Sequence, residues 1–361
     1  MTIKKHIVIS GVNLVEGGTL TIYKECLDQL AKNHSRDFNI TALVHSANLF
    51  ETPGINYIEY PEIKKSWLKR VFFEYFHSKK ISKDLKADIW FSIHDLSPSV
   101  LSKKRMVYCH NAMCFYDISW KEFILEPKLF IFSIAYKLFY RININKNNYV
   151  IVQQNWIKEN FEKKFNAKNV IVAYPYSKNK KSNVALKNSG NKFIYPSLPR
   201  AFKNFETLLK AWEILEEDPS WDGELLITID GSENKYSNKI FSQYGHLKRV
   251  NFTGRLSLAD VHREYNNRDC LIFPSKLETW GLPLSEVQDY GLAVIAADLP
   301  YAKESLSGYK NKSYFQANNC KELAEKIKLF RLGELPLEAD TQNIYSPEIT
   351  SWDELFNIII K

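Results

Sequence analysis

At 361 residues, with 45% hydrophobic and 14% aromatic side chains, the chain is long for a single core and is expected to form about two domains. It has no proline-rich or glycine-rich tract and no repeat of solenoid length, which argues against disorder, a fibrous repeat or a repeat array, and its net charge of +8 is moderate. The five cysteines, Cys26, Cys109, Cys114, Cys270 and Cys320, are odd in number and never in metal-ligand or redox spacing, so a reduced, cytosolic protein is expected.

The opening "MTIKKHIVISGVNL" is too short and too broken by polar residues for a signal peptide, and reads as a first strand. A turn containing Gly17 and Gly18 follows, then "TLTIYKECLDQLAK" as a helix and "DFNITALVH" as a strand. Between Pro61 and Lys86 seven Lys and one Arg face Glu62, Glu74 and Asp84, a net of +5. Trp67, Leu68, Val71, Phe72, Tyr75 and Phe76 recur there at helical spacing, flanked by Lys64, Lys65, Lys69, Arg70, Lys79 and Lys80. Such a basic amphipathic helix either packs its aromatic stripe on a sheet or docks on an anionic membrane surface. Nucleic acid is a weaker partner, because basic and aromatic residues interleave nowhere else.

"DIWFSIH", "RMVYCHN" and "YVIVQQ" continue as short apolar runs suited to buried parallel strands. "LFIFSIAYKLFY", Leu129 to Tyr140, falls short of the roughly 20 residues of a transmembrane helix, so a soluble or at most peripheral protein is expected. After "VIVAYPY" the polar run "SKNKKSNVALKNSGNK" reads as a linker over 177–192. A second alternating series then starts: "KFIYPS", the helix "FETLLKAWEIL", "ELLITIDG", "RVNFTG", "CLIFPS" and "LAVIAAD". The chain is thus expected to be α/β, with Rossmann-like halves over 1–176 and 193–345.

Open α/β sheets bind ligands beyond the carboxyl ends of their strands. The residues standing there are Gly17, Gly18, His110, Asn111, Pro199 to Lys203, Gly231, Gly254 and the stretch "ETWGLPLSE" from Glu278 to Glu286. Pro283 suits a first helical position, which predicts a helix over 283–290 with Glu286 in its first turn and Glu278 in the loop before it. The backbone N–H groups of Trp280, Gly281 and Leu282 would point at a ligand, and Gly281 has no side chain to block an anion. The two acids would repel a phosphate, so they are expected to meet hydroxyls, while Arg200 and Lys203, three apart, supply cations on one face of a helix start. Taken alone, the acids and the cations also fit a solvated surface.

Gly17-Gly18 lacks the GxGxxG spacing and fits a loop needing positive φ equally well. His110 follows a strand and is placed to donate to a substrate oxygen or to serve the strand end structurally; His94-Asp95 is a similar, lower-ranked pair. No GxxxxGK[ST], HExxH or DxD is present, so neither a P-loop nor a metal site is expected. A glycosidase rarely sets both acids at one helix start, and it has no need of Arg200 or Lys203.

With these positions assembled, the C-terminal half resembles the retaining GT-B glycosyltransferases of family 4, whose hallmark is E-x7-E, as Glu278 to Glu286. "LIFPSKLETWGLPLSEVQDYGLAVIAAD" and the upstream "VNFTGRLSLADVHREYNNRDCLIFPS" carry the resemblance, and "YSPEITSWDELFNIIIK" resembles the terminal helix, about 346–361, that returns to the first domain. The resemblance implies two Rossmann-like domains facing a central cleft. It also implies transfer from a UDP- or GDP-linked sugar to a polysaccharide or lipid-linked acceptor, with retention, without a metal or other cofactor, and in the cytoplasm or on the inner face of the membrane. By resemblance Glu286 binds the donor ribose, Glu278 the sugar hydroxyls, Lys203 the diphosphate and His110 the transferred sugar, while Gly17-Gly18 lies under the diphosphate and Trp280, Gly281 and Leu282 offer backbone groups. Two departures stand out. Asn204 replaces the glycine usual after the lysine, and Leu198 stands where the family has arginine, so that Arg200 would act from a shifted loop. A GT-B-like subunit without catalysis is the alternative, and a phosphorylase of similar fold lacks an evident lysine for a pyridoxal cofactor.

Overall fold

The computed structural model describes residues 4–174, 184–337 and 349–360. In chain order the elements are β1 (Lys5–Ser10), α1 (Gly17–His34), β2 (Phe38–Val44), β3 (Asn56–Glu59), α2 (Trp67–Phe72), α3 (Ser78–Asp84), β4 (Ile89–Ser92), β5 (Lys104–Tyr108), α4 (Trp120–Leu125), α5 (Pro127–Phe139), β6 (Tyr149–Val152), α6 (Asn155–Phe165) and β7 (Val170–Val172). There follow β8 (Lys192–Tyr195), α7 (Phe205–Glu216), β9 (Glu224–Ile227), α8 (Lys235–Tyr244), β10 (Val250–Phe252), α9 (Leu258–Asn267), β11 (Cys270–Phe273), α10 (Leu282–Glu286), β12 (Ala293–Ala297), α11 (Pro300–Ser305), β13 (Lys312–Phe315), α12 (Cys320–Leu332) and α13 (Trp352–Ile359).

The chain divides into two compact units: residues 1–115, 132–177 and 347–361, and residues 116–131 and 178–346. The segment 116–131, which carries α4, therefore groups with the second unit. Each unit is one parallel sheet, ordered β3-β2-β1-β4-β5-β6-β7 in the first and β10-β9-β8-β11-β12-β13 in the second. Both orders reverse direction once, between β1 and β4 and between β8 and β11, and the loops leaving such a pair diverge to opposite sides and open a crevice.

The strands are short apolar runs because both sheet faces are covered. In β1, Ile7 and Ile9 pack with Tyr23, Leu27 and Leu30 of α1, and Val8 faces the other way toward Phe73 and Trp90. α7 buries Phe205, Leu208, Leu209, Trp212 and Leu215, the 3.6-residue stripe of a helix laid on a sheet. The returning C-terminal segment is seen as α13, shorter than the expected span; residues 346–348 lie outside the described residues. Leu355, Phe356 and Ile359 of α13 enter the core around β1 and α1, each contributing about 1.5–3 kcal/mol by burial. Ile349 adds a parallel bridge to Ala173 beside β7. The linker expected over 177–192 lies outside the described residues up to 183. Residues 184–191 are irregular chain held by a bond from the Lys187 N–H to the Gly291 carbonyl, 2.8 Å, and Lys192 already belongs to β8.

The basic segment departs from expectation in two ways. Lys64 and Lys65 lie in a separate 3₁₀ turn, and the helix from Trp67 to Asp84 is interrupted by one π-helical turn, Phe73–His77. Its orientation is also opposite to the aromatic-in reading. Arg70, Phe73, Glu74, Ser78 and Ser82 are buried, while Leu68, Phe72 and Phe76 are 82%, 53% and 64% exposed. A polar cluster inside the unit, described below, recruits Arg70 and Glu74, and helical geometry then turns the 68/72/76 stripe outward. Trp67, which precedes that stripe, finds aromatic partners on α5, stacking on Phe139 and meeting Phe132 and Tyr136 edge-on.

Candidate functional site

In the second unit the loops after β8 and β11 leave the sheet at its reversal point, and backbone bonds lock them together. The Lys276 N–H donates to the Phe202 carbonyl at 2.7 Å. A 3₁₀ turn, Ala201–Lys203, then presents Lys203, whose carbonyl is held by the Tyr195 hydroxyl at 2.8 Å. Across the loops the Lys203 ammonium meets Glu278 Oε1 at 2.5 Å, with only 17% and 13% of the two side chains exposed. Two groups 75 residues apart are thus one part-buried ion pair. Partial desolvation makes the pair costly to break on one side only, because the remaining charge is stranded.

Asn204 explains its departure from glycine. Its backbone takes φ +61, in the left-handed region that glycine favours and asparagine tolerates best among the rest. Its side-chain amide donates to the Pro274 carbonyl at 2.9 Å and the Ala317 carbonyl at 2.7 Å, and its oxygen accepts from Thr207 at 2.8 Å. Asparagine therefore supplies the conformation and also staples the loops after β8, β11 and β13.

Arg200 does not share a face with Lys203. Its guanidinium, 54% exposed, lies 3.2 Å from Glu126 Oε1, and Glu126 Oε2 accepts from the Ala201 N–H at 2.6 Å. Glu126 comes from the segment 116–131 and was not singled out from the sequence. Neither was Glu122, which caps α4 through Ser119 and accepts from Tyr116 at 2.6 Å and Lys276 at 3.3 Å. Burial opposes ionisation of Glu122, but these donors hold its pKa below the ordinary carboxylate range. No spacing rule links either acid to Arg200 or Lys276, because the pairings are made only by the fold.

The helix after the loop is shorter than expected: α10 ends at Glu286 and a 3₁₀ turn, Val287–Tyr290, continues it. Glu286 is consequently the last residue of a five-residue helix rather than a member of its first turn. Its carboxylate accepts from the Tyr265 hydroxyl at 3.0 Å, and burial raises its pKa while Tyr265 and His262 oppose the rise. Trp280 is buried, its indole N–H donating to Ser285 at 2.8 Å and its carbonyl accepting from Ser305. The indole thus anchors the loop in the core. Gly281 caps the helix at φ +79, where a Cβ would lie 3.2 Å from Leu284 and 3.3 Å from Phe273; Leu282 begins the helix. At Gly231 the loop closes on itself, with the Asp230 and Gly231 N–H groups donating to Glu233 at 2.9 and 3.2 Å.

In the first unit the corresponding reversal point is closed off from water, with the Arg70 guanidinium buried against it. Ser10 Oγ lies 3.0 Å from His94 Nε2, joining the ends of β1 and β4, and His94 Nδ1 lies 3.3 Å from Glu74 Oε1, all of them wholly buried. Burial, aided by the neighbouring Arg70, lowers the His94 pKa, and burial raises Glu74 to about 8. Both shifts favour the neutral forms of the two groups. Gly17 opens α1 at φ +72 with Gly18 behind it, so the pair is the helix start itself rather than a turn ahead of it.

His110 lies beyond β5 with its ring stacked on Tyr108, centroids 4.4 Å apart. Its Nε2 is 3.0 Å from the Ile93 carbonyl, and Gln153 Nε2 is 3.3 Å from its Nδ1. A carbonyl only accepts, so Nε2 carries the hydrogen, and burial lowers the ring's pKa and keeps it neutral. The donor expected for a substrate oxygen is therefore engaged with Ile93. The lower-ranked His94-Asp95 proves as closely tied to His110 as any residue: Asp95 Oδ1 accepts from the His110 backbone N–H at 2.6 Å.

Residues 176–344 match the protein family described as "Glycosyl transferases group 1". That segment, somewhat under half of the chain, is similar to a group 1 glycosyl transferase domain. Lys203, Glu278 and Glu286 all fall inside it. An uncharacterized glycosyltransferase of Haemophilus influenzae is 27% identical over 178 residues, 47% of this chain and 47% of that protein. The O-antigen chain mannosyltransferase RfbU of Salmonella typhimurium is 22% identical over 216 residues, 56% of this chain and 60% of that protein. The chain thus spans about half the length of the curated relatives it matches. Among solved structures, sucrose-phosphate synthase from Thermosynechococcus elongatus is similar with a TM-score of 0.68 and 14% identity, over 92% of each chain. At that identity the likeness speaks for fold, and the fold is GT-B: two parallel-sheet α/β domains of seven and six strands, the second of which carries the group 1 glycosyl transferase match.

Proposed function

We propose that the protein transfers a sugar from a nucleoside diphosphate donor to a glycan or lipid-linked acceptor, with retention at the anomeric carbon and without a metal ion. The Lys203–Glu278 pair at the reversal point of the second sheet carries this reading. A diphosphate that reaches Lys203 competes with Glu278 for the ammonium, and the released carboxylate is left facing the sugar, where it accepts from hydroxyls. The cation thus holds the leaving group and the anion holds the sugar. In the reaction the bond between the anomeric carbon and the diphosphate oxygen breaks and its electron pair departs on the diphosphate. The acceptor hydroxyl oxygen bonds to the same carbon, and its proton passes to a phosphate oxygen. Lys203 stabilises the charge that grows on the leaving group, as a preorganised donor does, with Arg200 as a second cation once it leaves Glu126. Glu286, half-buried beside Tyr265, is assigned to the ribose hydroxyls.

A lipid-linked acceptor fits the outward stripe of Leu68, Phe72 and Phe76, which is bordered by Lys69, Lys79 and Lys80 and suits an anionic membrane surface.

Thermal-shift measurements with UDP, GDP, ADP, UDP-glucose and GDP-mannose test the reading. At least one is expected to raise the melting temperature at millimolar concentration, and stabilisation by none of them would overturn it. Glu286→Ala is expected to weaken nucleotide binding about 10-fold, the loss of one charged hydrogen bond. Glu278→Gln should lower turnover more than affinity.

A further inference from the structure

Asp95 stands in a strained conformation that its neighbours enforce. Its φ is +79, and the Leu96 N–H donates to the His94 carbonyl at 3.0 Å, which makes Asp95 the centre of a γ-turn of the rare positive-φ kind. A non-glycine residue held this way is strained and persists only where its surroundings demand it. The surroundings here are polar, buried and convergent. Arg70, reaching in from α2, donates to the same His94 carbonyl at 2.6 Å. The Asp95 N–H donates to the Tyr108 carbonyl at 3.1 Å. Its carboxylate accepts from the His110 N–H at 2.6 Å, from the Tyr136 hydroxyl at 3.2 Å and from the Tyr140 hydroxyl at 3.3 Å.

Two of these bonds end on the chain that carries His110: the Asp95 N–H on the Tyr108 carbonyl, and the Asp95 carboxylate on the His110 N–H. Tyr108 is both the acceptor for Asp95 and the ring on which the His110 imidazole stacks. Ile93, two residues before Asp95, accepts from that imidazole. The turn around Asp95 therefore grips His110 at its backbone, and the strand end before it grips the ring. A turn needed only to end β4 would be met by glycine at this φ without strain. What glycine could not supply is the carboxylate.

We infer that Asp95 is a positioning residue for His110, its strained turn and carboxylate setting where the imidazole stands relative to the transferred sugar. This rests on the proposed sugar transfer and on the place beside the transferred sugar that the family resemblance implies for His110. The test compares Asp95→Gly, which relieves the backbone and removes the acceptor, with Asp95→Asn, which tolerates the same φ and keeps an acceptor oxygen. Turnover is read as nucleoside diphosphate released from UDP-glucose or GDP-mannose, and nucleotide affinity is measured alongside. Asp95→Gly is expected to fold, to bind nucleotide within about 2-fold of wild type, and to lose roughly 30- to 100-fold in kcat, the scale of an ångström-sized misplacement. Asp95→Asn should recover turnover to within about 5-fold of wild type. Tyr136→Phe, which leaves the turn intact, should lower kcat by about 3- to 10-fold at unchanged KM. Wild-type turnover in Asp95→Gly, or equal losses in Asp95→Gly and Asp95→Asn, would overturn the inference. If wild type turns over neither donor, the functional proposal fails and this one is decided by NMR. The His110 imidazole resonances should then shift and broaden in Asp95→Gly and hold in Asp95→Asn, and identical spectra in all three proteins would overturn it.

Discussion

The two sheets reverse strand order in the same way, yet their reversal points carry opposite chemistry. In the second unit the crevice is bridged by a charged pair, Lys203 and Glu278, that remains partly open to solvent. In the first it is bridged by Ser10 and His94, wholly buried, with Glu74 behind them driven neutral. The same topology brings two loops together in each case. What they hold depends on whether water still reaches them: a part-wet ion pair can exchange partners with an anion, whereas a dry cluster, here with the Arg70 guanidinium bonded to the His94 carbonyl, is fixed as scaffold. The second crevice is therefore the place to look for leaving-group chemistry, and the first is a rigid mount for what stands beyond it.

The comparison is broken most severely at Lys203. Lys203→Met is expected to lower turnover by about 100- to 1,000-fold, the loss of a main donor to developing charge, and to raise the nucleotide Kd as well. Steady-state release of nucleoside diphosphate checks this; an active Lys203→Met enzyme would put the leaving group elsewhere.

The next largest effect is on stability in the first crevice. The folded-state pKa of Glu74 is raised from 4.5 to about 8, so its contribution is fully present below pH 4.5 and is lost as pH rises through about 8. Wild type should lose stability across that interval, while Glu74→Gln, which cannot ionise, should lose less. Urea melts at pH 5, 7 and 9 would show it, and parallel curves for the two proteins would contradict a neutral Glu74.

Asn204 tests whether the second crevice is held by conformation or by side-chain bonds. Asn204→Ala forfeits the preferred φ and the bonds to Pro274 and Ala317, and should cost about 2–4 kcal/mol. Asn204→Gly keeps the φ and should cost about 1 kcal/mol less. Equal melting temperatures for the two variants would assign the whole effect to the bonds.

The smallest effect is expected at Ser10. Ser10→Ala removes one neutral bond to His94 and should cost about 1 kcal/mol with nucleotide affinity unchanged. A change in affinity on calorimetry would mean the dry crevice is not mere scaffold.

The sites were legible to unequal degrees. Lys203, Glu278 and Glu286 stood out as candidates because the first two follow strands and the E-x7-E spacing to the third is local, even though Glu286 ends α10. Arg70, Glu74, Glu122 and Glu126 could not, since their partners are distant in sequence and a charged residue in a basic or acidic run looks solvated. The helix from Trp67 to Asp84 shows how such a reading goes astray: its apolar period was plain, but period alone does not say which face turns inward when a polar cluster competes for it.

The sequence by itself determined the α/β alternation, because buried parallel strands must be short apolar runs and helices must carry a 3.6-residue stripe. It also marked the strand ends where chemistry could stand. Only the tertiary structure decided which strand ends are neighbours, and hence that Lys203 meets Glu278, that Arg200 meets Glu126, and that Asp95 holds His110. Strand order is a global outcome of packing, and the desolvation that leaves one crevice part-wet and the other dry exists only once the chain has closed around them.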